Sequence, residues 1–163
     1  MIDLNVTADL ARPPAVHRPG DVFRSGEAVQ RWIGFELAGQ LYGVPILAVQ
    51  EVLAQAEIEP VPGTAAEVMG VINLRGQIVT VVDLRLRLGL AAAANPQGPL
   101  IVFDAGSETL AARVDRVAHV RQIADSAIKS APPAGATPSR AVLGLVTREG
   151  RMMTLLDVPG MLA

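Results

Sequence analysis

From residue 29 onward the chain alternates short apolar runs with turn residues. The runs "RWIGFEL", "LYGVPI", "QIVTVVDLRL", "PLIVFDA", "TLAARVD", "AVLGLVT" and "RMMTLLDV" are β-branched, aromatic or alternating, and each predicts a strand. Close spacing and frequent turn residues predict an all-β fold of small barrels or a sandwich. Two longer breaks stand at "LAAAANPQGP" (90–99) and "KSAPPAGATPS" (129–139). The stretch "ILAVQEVL" (46–53) is ambiguous, because Ile46, Val49, Val52 and Leu53 also fit one face of a helix. Most of its apolar residues read as core, which leaves Gln50 and Glu51 pointing outward. Residues 1–28 are rich in Pro, Arg, Ala and Asp without a period, and read as a flexible leader.

The pattern repeats. "GVINLRGQIVTVVDL" (70–84) aligns without a gap on "GLVTREGRMMTLLDV" (144–158), 74 residues later. Gly70, Gly76, Thr80 and Asp83 recur as Gly144, Gly150, Thr154 and Asp157. Upstream, "IGFELAGQLYGVPILAVQEV" aligns on "IVFDAGSETLAARVDRVAHV" at an offset of 68, so Phe35 meets Phe103, Val49 meets Val117 and Val52 meets Val120. Each half also has a lead-in that predicts one or two helical turns. Thr64 and Glu67 have capping-box spacing, and Thr137 is an N-cap candidate followed by Pro138. The chain thus divides into two related β units of about 60 residues, each burying only about 60% of its unfolded surface alone. They should pack together, share a core and leave a groove between them. The units run from about 31 to 90 and from about 98 to 162, with the chain ends able to exchange between them.

Composition narrows the function classes. A formal net charge of −2 and 3% aromatics disfavour nucleic-acid binding, which calls for a basic face and stacking platforms. There is no cysteine, and His17 and His119 have no partner at ligand spacing, so neither a thiolate nor a histidine metal site is expected. No Gly-x-Ser-x-Gly elbow or phosphate-cradling loop is present. An enzyme would have to use Asp83 or Asp115 without a partner base. Asp83, Asp104, Asp115 and Asp157 read better as acceptors of backbone N–H groups in the turns that follow strands. The N-terminus lacks a signal peptide and no window reaches a membrane span, which predicts a cytoplasmic protein.

One residue resists a structural explanation. Copy one carries Asn73-Leu74-Arg75-Gly76 where copy two carries Thr147-Arg148-Glu149-Gly150. The glycine recurs and belongs to the turn, with Gly76 or Asn73 supplying the positive φ. The arginine does not recur, so the scaffold does not require it. A lone surface arginine is by default solvated. Arg75 stands beside Leu74 on a turn expected to be exposed, and such a pair is typical of an interface anchor.

"LYGVPILAVQEV" followed by "VMGVINLRGQIVTVVDLRLRLG", with "LGLVTREGRMMTLLDV" near the end, resembles the CheW family of chemotaxis coupling proteins from about Arg31 to Leu162. The resemblance implies two packed SH3-like five-stranded β-barrels. It implies an adaptor without catalytic activity or cofactor, joining chemoreceptor cytoplasmic tip helices to the regulatory domain of a CheA-type histidine kinase in signalling arrays. Any membrane association would come only through receptors. Receptor contact is implied in the inter-barrel groove, at Asn73, Leu74 and Arg75 with Val49 and Glu51 nearby, and Val117 and Val120 on the other barrel's side. Kinase contact is implied at barrel ends. A coupling protein of a pilus-motility or other alternative chemosensory pathway is the alternative. The chain departs from the usual pattern in its longer leader, in Ala111 where glycine is common, and in stopping at "DVPGMLA" without the C-terminal helix many members have.

Overall fold

The computed structural model describes residues 28–94, 96–131 and 139–162. The leader, Thr137 and Pro138 lie outside them. Among the described residues ten strands form: β1 (Val29–Leu37), β2 (Gln40–Pro45), β3 (Val49–Leu53), β4 (Val68–Leu74), β5 (Gln77–Asp83), β6 (Leu100–Asp104), β7 (Thr109–Arg113), β8 (Arg116–Ala124), β9 (Val142–Arg148) and β10 (Arg151–Leu156). One-turn helices follow the two repeat-related hairpins, α1 (Leu84–Arg87) after β5 and α2 (Val158–Leu162) after β10. The fold is all-β, as the runs predict, with SH3-like five-stranded sheets. "ILAVQEVL" resolves into a single 3-10 turn at 46–48 and then strand β3, not a helix.

The sheets do not follow the two halves of the sequence. One has the order β8-β1-β2-β10-β9 and the other β3-β6-β7-β5-β4. Each half donates its first hairpin to the sheet built on the other half. The division at 31–90 and 98–162 therefore describes the repeat, while each sheet draws on both segments. Register shows the exchange residue by residue. Phe35 of β1 lies opposite Val117 of β8, and Phe103 of β6 lies opposite Val49 of β3. Ile33 opposes Val120 as Ile101 opposes Val52.

Period-two alternation gives every exchanged strand two buried faces. Ile33, Phe35 and Leu37 turn one way, and Ile101 and Phe103 meet them in a shared core between the sheets. Trp32 turns the other way, into a smaller core with Met153 and Leu155 inside the first sheet's curl. Leu100 and Val102 join Val79 and Val81 in the equivalent core of the second. The shared core is the largest of the three, and α2 closes one side of it through Val158, Met161 and Leu162. The final "DVPGML" thus ends in one helical turn rather than none.

Each sheet curls until its edges meet at a single bridge. Residues beyond β3 return so that Glu59 pairs with Val71 of β4, and residues beyond β8 return so that Lys129 pairs with Leu145 of β9. Next to each bridge is a repeated glycine. A β-carbon on Gly144 would lie 2.5 Å from Ile128 Cγ2 and 2.6 Å from the Lys129 carbonyl oxygen, and one on Gly70 would enter the Glu59 carbonyl. These glycines recur because main chain crosses directly over them.

Other expectations resolve differently. The Thr64–Glu67 lead-in forms a turn and not a helix. Thr64 Oγ1 donates to the Val61 carbonyl, and Glu67 pairs with Arg87 at 3.2 Å while its carbonyl accepts the Asp83 N–H. That edge serves β5, which leaves no room for a local capping box. Asp83, Asp104 and Asp157 do accept N–H groups, from Arg85, Gly106 and Gly160. Asp115 does more than terminate a strand. It accepts the Ala38 N–H of the β1–β2 turn at 2.8 Å and pairs with Arg85 of α1 at 2.6 Å, tying the two sheets together.

Gly144→Ala should cost about 1–3 kcal/mol of stability by overpacking the bridge, read from denaturant unfolding. A wild-type midpoint would show that the crossing strand can yield. Burial alone would raise the Asp115 carboxyl. The Arg85 guanidinium and the Ala38 N–H outweigh it and hold the group below its ordinary value. A depressed carboxyl stabilises the fold above its unfolded pKa and loses that contribution as pH falls through the folded value. Thermal stability should therefore decline on acidification below about pH 4. The decline should be shallower in Asp115→Asn.

Candidate functional site

The β4–β5 hairpin turns in two residues. Arg75 has φ 52° and Gly76 φ 86°, the twist of a type I′ turn, and the Asn73 side chain accepts the Gly76 N–H at 2.8 Å. Positive φ thus falls on Arg75 itself as well as Gly76, whereas Asn73 stays in the strand and acts through its side-chain oxygen. Ala38 and Glu149 take the same conformation at the β1–β2 and β9–β10 tips. The strain belongs to the tight turn and does not single out Arg75.

Arg75 does have a specific partner. Its guanidinium reaches across the open end of the curled sheet to Glu51 of β3, with Nη2 2.5 Å from Oε1. Arg75 is 73% exposed while the Glu51 side chain is only 10% exposed. Glu51 is therefore not the outward-pointing residue that "VQEV" implied. It is a largely covered carboxylate whose companion charge sits on the surface above it, and such a carboxylate needs that companion. The other sheet has a counterpart of opposite sense. There the tip residue is Glu149, paired with Arg121 of β8 at 2.8 Å.

The remaining candidates are spread along this frame. Asn73 is exposed beside the turn. Leu74, expected to be exposed, is half-buried as the last residue of β4 and packs on the second sheet's own core. Val49 on β3 and Val117 and Val120 on β8 are half-buried and pack against the shared core from the two sheets. Arg75 and Glu51 are thus in direct contact, with Asn73 and Leu74 adjoining the turn. The three valines reach this set only through the shared core. Asn73 and Leu74 line one hollow and Val117 another.

Several exposed apolar residues escaped the sequence reading, Leu47 at 89% foremost. Ile78 and Met152 occupy the same repeat position, and are 74% and 60% exposed. Alternation was the available signal, since Val79 and Val81 point inward and so place Ile78 outside. Among the described residues no group of three or more His, Cys, Asp or Glu is placed to hold a metal ion, and no helix is long and apolar enough to cross a membrane.

Two curled five-stranded sheets, exchanged hairpins and a charged hairpin tip define a two-lobed SH3-like β protein. Comparison with known proteins names the family. The family model for the CheW-like domain matches residues 31–163, and the chain belongs to that family of chemotaxis coupling proteins. Chemotaxis protein CheW of Rhizobium meliloti is 33% identical over 128 residues, covering 77% of this chain and 83% of that protein. Protein FrzA of Myxococcus xanthus is 31% identical, covering 74% and 76%. The solved scaffolding protein TtCheW of Thermoanaerobacter tengcongensis superposes with a TM-score of 0.74 at 28% identity, covering 80% of this chain and 90% of that one.

Arg75→Gln should destabilise the fold by about 1 kcal/mol, because it leaves the covered Glu51 carboxylate unpaired. Adding Glu51→Gln should recover most of that loss in a urea titration. Failure to recover would mean that the pair does not account for the effect.

Proposed function

We propose that the chain is a non-catalytic adaptor that holds chemoreceptor cytoplasmic tip helices to a CheA-type histidine kinase in chemotaxis arrays. The observation that carries this reading is the Arg75–Glu51 pair at one barrel end, set against Glu149–Arg121 at the other. The shared scaffold accepts either charge at the tip, so the guanidinium is chosen by something outside the fold. An exposed arginine anchored by a covered carboxylate presents its remaining N–H donors in a fixed direction, suited to carbonyl or carboxylate groups on a helix tip. Asn73 and Leu74 flank it, while Val49, Val117 and Val120 supply apolar area toward the groove between the sheets. An amphipathic receptor helix is the matching partner. The kinase regulatory domain engages a barrel end, and the adaptor works in the cytoplasm, reaching the membrane only through its receptors.

The likeness to FrzA, a relative that bears a different name from the CheW proteins, supports a second reading. In it the chain couples receptors to the kinase of an alternative chemosensory pathway, through the same surfaces.

The double variant Arg75→Gln/Glu51→Gln separates folding from recognition. It should melt like the wild type and still capture the kinase regulatory domain, yet fail to capture a receptor tip fragment in a pull-down. Capture of the receptor at the wild-type level would remove Arg75 from the contact.

A further inference from the structure

The first sheet carries a charge pattern that the coupling reading leaves unexplained. A hollow of about 550 Å³ opens between β8 and the β9–β10 hairpin. Arg116, Arg121, Arg148 and Arg151 all line it, as does His119. Against them stand only Glu36 and Glu149. The four arginines and two glutamates leave the lining two positive charges in excess, in a chain whose formal net charge is −2.

The carboxylates do not use up these donors. Glu36 pairs with Arg116, and reaches Arg151 only at 3.7 Å. Glu149 pairs with Arg121 but is itself 71% exposed, a weak contact in solvent. Among the described residues Arg148 has no carboxylate partner within salt-bridge distance. The repeat then supplies the argument already applied to Arg75. The positions equivalent to Arg116, Arg121, Arg148 and Arg151 in the other sheet are Ala48, Leu53, Leu74 and Gln77. Matching register in the two sheets supports that equivalence. The scaffold is satisfied without a single arginine there, so four of them at one end are a property of this end alone.

We propose that this hollow binds a small organic phosphate. Arginine forks match phosphoryl oxygens in bidentate geometry, and an excess of positive charge favours phosphoryl groups, each of which carries about −1.5 to −2 at neutral pH. The volume is within the range of about 300–1,000 Å³ found for ligand sites, more than a bare phosphate fills. Leu41 and Val117 line the same hollow and give an apolar group a surface to rest on. The phosphoryl groups lie on the arginines and the apolar remainder lies toward these two.

Calorimetric titration of the full chain with ADP, with inorganic pyrophosphate and with poly-glutamate tests this. ADP should bind saturably and more tightly than pyrophosphate. Arg148→Gln/Arg151→Gln should weaken ADP at least about tenfold while the unliganded melt stays at the wild-type value. Should that pair of changes unfold the chain, Arg148→Glu alone serves, with the same loss expected. Absence of saturation by ADP at millimolar concentration overturns the proposal, as does undiminished binding by the variant. Pyrophosphate binding as tightly as ADP would remove the organic portion, and saturation by poly-glutamate alone would make the hollow a contact for an acidic protein segment.

Discussion

The meeting of Phe35 and Phe103 in one core depends on an exchange of hairpins, and most of the structure follows from that exchange. β1–β2 leaves its own half of the chain to complete the other half's sheet, and β6–β7 returns the arrangement. Each exchanged strand is then covered on both faces, once by the curl of its new sheet and once by the opposite exchanged strand. A unit of about 60 residues buries too little apolar surface to be robust alone. Here neither half is asked to be. The largest core belongs to both, and separating the sheets would expose it at about 25 cal/mol per Å² of apolar surface.

That shared core also sets where recognition is possible. Side chains at strand centres are committed to one of three apolar clusters, so variation is confined to hairpin tips, edge strands and the turns between them. The Asp115 clasp, joining the Ala38 turn to Arg85, fixes the two sheets against each other. A partner lying across the groove therefore meets a surface whose two sides are held in one relation. The tip pairs Arg75–Glu51 and Arg121–Glu149 stand at the rims of this body, where a pair can be reversed as a pair while the three apolar clusters stay as they are.

Much of this was legible in the sequence because a duplicated pattern exposes its own constraints. Recurring residues such as Gly70/Gly144 and Asp83/Asp157 proved structural, at a main-chain crossing and in turns. The non-recurring Arg75 proved to hold a surface position with a specific partner. The partner itself was not legible. Alternation in "VQEV" placed Glu51 outside, but a bulge between Val49 and Glu51 shifts the pairing, and Arg75 then covers the carboxylate. Local signals failed where long-range pairing took over the backbone, as at Thr64–Glu67. The swap of hairpins was open as a possibility but not decidable, since each strand has the same internal pattern whichever sheet it joins.

The exchanged hairpins have an implication for how such a molecule acquires unlike ends. Two identical five-stranded chains, each lending its first hairpin to the other, would make the same architecture as an intertwined dimer. In such a dimer every surface change appears twice, so a tip arginine on one lobe dictates a tip arginine on the other. Joined in one polypeptide, the copies keep the mutual dependence in their interior and are released from it on their surface. Arg75 at one tip and Glu149 at the other are what that release permits: a body that is symmetric where it must cohere and polarised where it meets its surroundings.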